Sequence, residues 1–305
     1  MHFFLQQVVN GLTTGSLYAL IALGYSMVYG VLKLLNFAHG DLYMLGAFVG
    51  YFVLQWFGGA DGLSIPVPLV LLFMFTAAAF SMGGLGMAIE RFAYRPLRDA
   101  PRIAPLITAL GVSFFLENTV LLLFGAQTRI YNTPDMISFK TGIHIGAFSI
   151  DIVRIGVIVL ALLCMLVLRE IVNRTTLGKS MRAVATDREA AEMLGIDVDR
   201  TIALTFFLGS ALAGAGGLIF GLYYNFTSFI IGFTAGLRAF TAAVLGGIGN
   251  VPGAMVGGVL IGLIEAMGGQ FIATAWTDVI IFSILVLVLV FVPTGLFGRA
   301  TPNKS

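Results

Sequence analysis

Charge is what this sequence has least of. Only 10% of its 305 residues are Asp, Glu, Lys or Arg, against 58% hydrophobic, and the mean hydropathy is +0.98. A soluble domain carries about 25% charged residues and covers its surface with them. This chain has too few, which excludes a soluble enzyme. Cysteine is nearly absent too. Cys164 stands alone inside an apolar run, so an intramolecular disulfide and a cysteine-based zinc site are both excluded. The three histidines, His2, His39 and His144, are scattered. No His/Glu metal pair or Ser/Lys dyad stands at helical spacing, so an intramembrane enzyme finds little to work with. The net charge of +2 forms no basic stripe, and nothing points to nucleic acid. The opening Met1-His2-Phe3-Phe4 contains no Lys or Arg. It lacks a secretory n-region, so the first apolar segment is expected to be retained as a helix.

Long apolar runs are what is there. A bilayer core about 30 Å thick takes roughly 20 apolar residues per helical crossing. Such spans read at 4–32, 40–57, 67–89, 104–124, 150–168, 202–224, 253–272 and 276–292, with a short glycine-rich stretch at 237–249. They are continuous, unlike the alternating segments of about 10 residues in a transmembrane barrel. The expected fold is all-α: one polytopic helical membrane domain over 1–305. It has eight or nine spans, depending on whether 237–249 crosses or forms a half-helix inside the protein. The 38 glycines suit close helix packing in lipid. Clusters such as Gly246-Gly247-Ile248-Gly249-Asn250 suit broken helices near a pathway.

Basic residues orient the chain, because cytoplasmic loops hold the excess of Lys and Arg. Arg91, Arg95, Arg98 and Arg102 lie in one loop; Arg169, Arg174, Lys179, Arg182, Arg188 and Arg200 lie around another. Both belong on the cytoplasmic side. The connector 125–149, with only Arg129 and Lys140, is then external. The N-terminus falls outside and Lys33 inside. Arg299 and Lys304 fall inside only if 237–249 crosses.

The loop of about 169–200 carries the clearest local signal. Thr186 and Glu189 have capping-box spacing, with Thr186 as N-cap. Gly195 suits the left-handed position that ends a helix, and Ile196 follows as its apolar contact. The helix between them has about two turns, too few to stand alone. Ala190, Ala191 and Leu194 offer a shallow apolar face. Either the helix packs on its own protein, or a cytoplasmic partner docks there. Just before it, Leu177-Gly178-Lys179-Ser180 imitates the end of a phosphate-binding loop. The motif needs a glycine where Asn173 stands, so ATP is not expected to bind this chain.

The sequence resembles the LivH-type permeases of branched-chain amino acid ABC importers, within a broader permease family that also serves ribose and urea importers. The resemblance runs nearly full length. It rests on Asn10-Gly11, Gly15-Ser16-Leu17-Tyr18-Ala19-Leu20, Gly24-Tyr25-Ser26-Met27-Val28-Tyr29-Gly30 and Asn36-Phe37-Ala38-His39-Gly40-Asp41. It continues in Glu189-Ala190-Ala191, Gly195-Ile196, Leu245-Gly246-Gly247-Ile248-Gly249-Asn250 and Pro252-Gly253-Ala254. The resemblance implies that the Glu189–Gly195 helix is a coupling helix seated on an ATPase subunit. It further implies a second permease (LivM-like or the same chain), two ATPases that bind ATP and Mg, and an external solute-binding protein. No cofactor is then expected in this chain, and the location is a bacterial or archaeal cytoplasmic membrane.

Polar residues at bilayer depth suggest function by default. His39 and Asp41 lie between the first two spans, as pathway or gate residues or as cap and turn chemistry. Asn36 and Asn250, in the turns that open two helices, join the gate candidates. Glu117 and Asn118 fall inside one span and Glu265 inside another. Neither glutamate has a Lys or Arg at helical spacing, so each either faces water or is held neutral. Asp278 beside Trp276 is expected at the membrane interface. Rival functions are a urea or short-amide importer, a proton-coupled transporter using Glu117 and Glu265, and a passive channel for a small solute.

Overall fold

The computed structural model describes residues 2–98, 100–101, 103–136, 142–145 and 148–298. Arg102, Lys140, Arg299 and Lys304, which entered the orientation argument, lie outside them.

Every apolar span in the sequence forms a helix. In order these are α1 (His2–Leu32), α2 (His39–Trp56), α3 (Val67–Ile89) and α4 (Ile103–Phe124). A connector follows, with β1 (Arg129–Ile130), the short α5 (Thr133–Met136), β2 (Gly142–Ile145) and β3 (Phe148–Asp151). Then come α6 (Ile152–Arg174), α7 (Thr176–Thr186), α8 (Arg188–Met193), α9 (Val198–Tyr224) and β4 (Phe226–Thr227). The chain closes with α10 (Ile231–Gly246), α11 (Val251–Gly268) and α12 (Thr277–Phe291). Six helical stretches are long and apolar enough to cross a membrane. The last of these, Val251–Phe291, is broken by a π turn at Gly269–Ala273 and a 3-10 turn at Thr274–Trp276. The molecule is a polytopic helical membrane bundle.

Burial ranks the helices. In α1, 78% of the apolar window is buried, against 22% in α4 and α6. Thus α1 is the central post and α4 and α6 are peripheral. Small residues allow the close crossings. A Cβ on Gly217 of α9 would overlap the Tyr43 carbonyl of α2, and one on Gly262 of α11 would overlap the backbone of Gly15 in α1. At such crossings backbones touch, and dispersion contacts replace the hydrophobic drive that lipid cannot supply.

Two helices are internal pieces. His39, the first residue of α2, packs against Gly24 of α1, eight residues and about 12 Å short of the α1 end. The start of α2 is therefore sunk in the bundle. α10 has 16 residues, about 24 Å, and falls short of a hydrocarbon core of about 30 Å. Its start meets Gly40 of α2 and its end meets Gly253 of α11. The glycine-rich stretch expected at 237–249 is thus the second half of a buried helix that begins earlier, at Ile231.

The helix ends gather on two faces. On one, β1 pairs antiparallel with β4, Tyr131 donates its amide to the Asn225 carbonyl (3.1 Å), and Arg154 bonds Asn10. On the other, Arg95 and Arg98 at the end of the α3 segment pair with Asp199 of α9. There too Ser26 of α1 accepts the Gly249 amide (2.9 Å). The basic loops lie together on this second face.

Candidate functional site

The basic face carries a folded hinge between α6 and α9. Thr175 caps α7, its hydroxyl accepting the Gly178 amide at 3.2 Å. Gly178 sits so close to α6 that a Cβ would overlap the Val172 carbonyl. The phosphate-loop look-alike is therefore the first turn of a packed helix. Met181 and Val184 are the apolar face of α7, buried against the bundle.

α8 begins one residue later than capping-box spacing implies. Thr186 is the last residue of α7, and its hydroxyl bonds back to the Arg182 carbonyl at 2.9 Å. The N-cap is Asp187, whose carboxylate accepts the Ala190 amide at 3.0 Å. Asp caps as well as Thr, and Thr186 has already spent its hydroxyl inside α7. Glu189 therefore lies in the first turn, with no reciprocal bond to Thr186. The other end is as the sequence suggests. Gly195 is left-handed at φ +80. The Ile196 amide reaches the Ala191 carbonyl (3.1 Å) and the Gly195 amide the Glu192 carbonyl (2.9 Å), which is a Schellman closure. Asp197 then caps α9 by accepting the Arg200 amide at 2.9 Å.

The expected apolar face of α8 divides in two. Ala191 is buried and holds the helix on the protein. Ala190 and Leu194 point outward, and Leu194 is 81% exposed. Beside Leu194 stands Met193, 82% exposed, which the helical pattern did not single out. Glu189 and Glu192 are exposed around this apolar tip.

A chain of contacts leads from this hinge into the bundle. Arg98 pairs with both Asp199 and Glu90, and the Arg98 and Glu90 side chains are buried. Glu90 opens a π turn, Glu90–Tyr94, a distortion frequent at functional sites. At its end the Tyr94 hydroxyl donates to Asn36 Oδ1 at 2.9 Å, and its ring meets Phe206 of α9. The Asn36 carbonyl accepts the His39 amide at 3.1 Å. His39 is fully buried, edge-on to Tyr25 at 4.8 Å. Asp41 is buried and accepts the Ser113 hydroxyl of α4. Asn36, His39 and Asp41 thus form one cluster at the sunken start of α2, with Glu117 of α4 near enough to repel Asp41.

The other candidates lie elsewhere. Asn118, on the outer side of α4, is exposed, its amide nitrogen bonding the Phe114 carbonyl at 2.8 Å. Asn250 caps α11 by accepting the Gly253 amide (3.1 Å), and its nitrogen donates to the Phe297 carbonyl (2.6 Å). That is the work of a helix cap.

Glu265 is neither solitary nor simply facing water. Arg238 of α10 reaches it at 2.5 Å and holds Asp278 of α12 at 2.7 Å. The same guanidinium donates to the Tyr18 hydroxyl at 3.0 Å. The cation missing at helical spacing comes from another helix. Asp278 is more than half exposed. Helical spacing within one span cannot reveal a pair made between spans; the only signal was an arginine inside an apolar segment. Among the described residues, no three His, Cys, Asp or Glu side chains come together as metal ligands.

The basic face thus combines an exposed apolar tip on α8, three N-capped helices, α7, α8 and α9, and a buried ion pair, Arg98–Glu90. Comparison with known proteins gives the family. Residues 7–289 match the family described as branched-chain amino acid transport system / permease component. The chain is 42% identical to the high-affinity branched-chain amino acid transport system permease protein BraD of Pseudomonas aeruginosa, over 100% of this chain and 99% of that protein. It is 41% identical to the corresponding permease protein LivH of Escherichia coli K12, over 99% and 98%. A probable LivH of Methanocaldococcus jannaschii is 26% identical, over 93% and 89%.

Proposed function

The chain belongs to the permease-component family of branched-chain amino acid transport systems, and we propose that it is the membrane subunit of an ATP-driven importer taking up branched-chain amino acids. It is a transport subunit, held in the cytoplasmic membrane by its multiple spans. In this reading the basic face is cytoplasmic. ATP and Mg bind two partner ATPases, a second permease completes the membrane part, and an external binding protein delivers the solute.

One observation carries the coupling role: α8 leaves Met193 and Leu194 exposed on a helix capped at both ends. Exposed apolar side chains rimmed by carboxylates mark a protein contact. Because Asp187 and Asp197 cap consecutive helices, a push on α8 turns α9 with little slack. α9 carries the push through Asp199–Arg98–Glu90 and Phe206–Tyr94 to Asn36 and His39. Two discrete packings of that joint would open the α2 start to one side or the other. The few charges near the pathway suit a zwitterion that is passed along and not held tightly. Arg238 holds Glu265 in an ion pair, which weakens the rival use of that carboxylate as a proton carrier.

The test is uptake of labelled leucine by cells carrying or lacking this chain. The expected result is uptake that needs the chain, stops on ATP depletion and survives a protonophore while ATP is maintained. Uptake that collapses with the proton gradient at constant ATP would overturn the proposal.

A further inference from the structure

A polar group at bilayer depth is costly unless something meets it. The outer face of α6 avoids that cost, and on α12 the small Ser283 is the exposed polar residue past the first turn. Leu162, Leu163 and Leu166, and Val286, Leu287 and Val290, are exposed and apolar, as lipid-facing helices are.

α4 does not follow this pattern. Its inward stripe is narrow: Pro105, Ala109, Ser113, Leu116 and Val120. Beside that stripe Glu117 is half-buried and Asn118 exposed. Asn118 lies six residues before the end of α4, about 9 Å along the axis, well within the apolar span. Its nitrogen bonds its own helix, so its amide oxygen has to be met from outside. Among the described residues no Lys or Arg pairs with Glu117. Two turns before Asn118 on the same stripe is Gly111, exposed, with open space where a Cβ would stand. A bare glycine lets another helix approach closely, and the exposed Phe114 and Phe115 flank it with large contact area.

Lipid tails cannot bond an amide or solvate a carboxylate, and soluble partners do not reach this depth. The occupant must itself be embedded in the membrane. We propose that the outer face of α4, from Gly111 to Asn118, is where a second permease chain of the same fold packs, with Glu117 and Asn118 turned into a polar seam between the two. This rests on the importer reading for the existence of that second chain. At the α10–α12 end, by contrast, both carboxylates, Glu265 and Asp278, already share the Arg238 guanidinium.

The experiment uses the complete importer in its native membrane. A photo-reactive benzoylphenylalanine replaces Phe115 on α4 or, separately, Leu163 on α6. After illumination, Phe115 is expected to yield an adduct with a second permease chain, identified by mass spectrometry, and Leu163 none. A permease adduct from Leu163 and not from Phe115, or from neither, overturns the proposal. A second variant, Gly111→Phe, has room to fold and should lower co-purification of the second permease at least fivefold. The matching change on α3, Gly84→Phe, should not. Equal co-purification with both variants also overturns it. Co-purification of the ATPases with the unaltered chain is read separately, so a wrong surface is distinguishable from a wrong importer assignment.

Discussion

Asp187 accepts a hydrogen bond of 3.0 Å from the backbone amide of Ala190, and this contact sets where α8 begins. Removing an N-cap carboxylate costs about 1 kcal/mol, or roughly fivefold in an opening equilibrium. In Asp187→Ala, amides 190–194 should therefore exchange hydrogen about fivefold faster, measured by mass spectrometry on the purified chain. Thr186→Ala should leave those rates unchanged, because Thr186 bonds back into α7. The reverse ranking would restore Thr186 as the cap.

Gly195 holds φ +80 at the end of α8. A left-handed conformation costs an ordinary residue about 1–2 kcal/mol, and asparagine tolerates it better. Gly195→Val should abolish ATP-dependent uptake while the chain still reaches the membrane at its usual level. Gly195→Asn should retain most uptake. Both are read from transport normalised to the amount of chain in the membrane.

Arg238 is the shared cation of Glu265 and Asp278. Its removal leaves a largely buried carboxylate uncompensated, a loss of about 3–5 kcal/mol in buried pairs. Arg238→Leu should lower the melting temperature in detergent clearly. The double variant Arg238→Leu/Glu265→Leu should recover part of the loss, because it removes both buried charges. A single variant as stable as the parent would show that the pair contributes nothing.

His39 Nε2 occupies the space a Cβ on Gly24 would need. Gly24→Ala should displace His39 and the start of α2, and so impair uptake more than it impairs membrane insertion. Equal loss of both would mean the crossing is only structural.

Most spans appear within about four residues of their expected ends, because hydropathy and length decide them; α6 runs on to Arg174 and α10 starts at Ile231, since a helix can continue through polar residues that hydropathy excludes. Gly195 was legible because a left-handed helix end has its own residue preference. The cap was misplaced by one residue because Thr186 and Asp187 are both good caps. Which one serves depends on whether α7 has already taken the threonine hydroxyl. The Arg238 cluster was hidden because its members lie on α1, α10, α11 and α12 and meet only after folding. For Asn250 the sequence does not tell a cap from a channel lining, since a polar side chain after a glycine turn reads the same either way; the structure adds the cap, in which Asn250 accepts the Gly253 amide. Met193 is not legible in the sequence, because which side of α8 faces out depends on how Ala191 seats against the bundle.

In the importer reading proposed above, α8 transmits ATPase motion through its exposed tip. The direct measurement is leucine uptake and ATP hydrolysis by the complete importer in liposomes, comparing the parent with Met193→Asp/Leu194→Asp. Both side chains are exposed, so the variant should fold as well as the parent, within about 0.5 kcal/mol per substitution. Uptake should fall at least tenfold, and solute-stimulated ATP hydrolysis should be lost with it. Unchanged uptake and unchanged stimulation in a correctly inserted variant would contradict that role of α8.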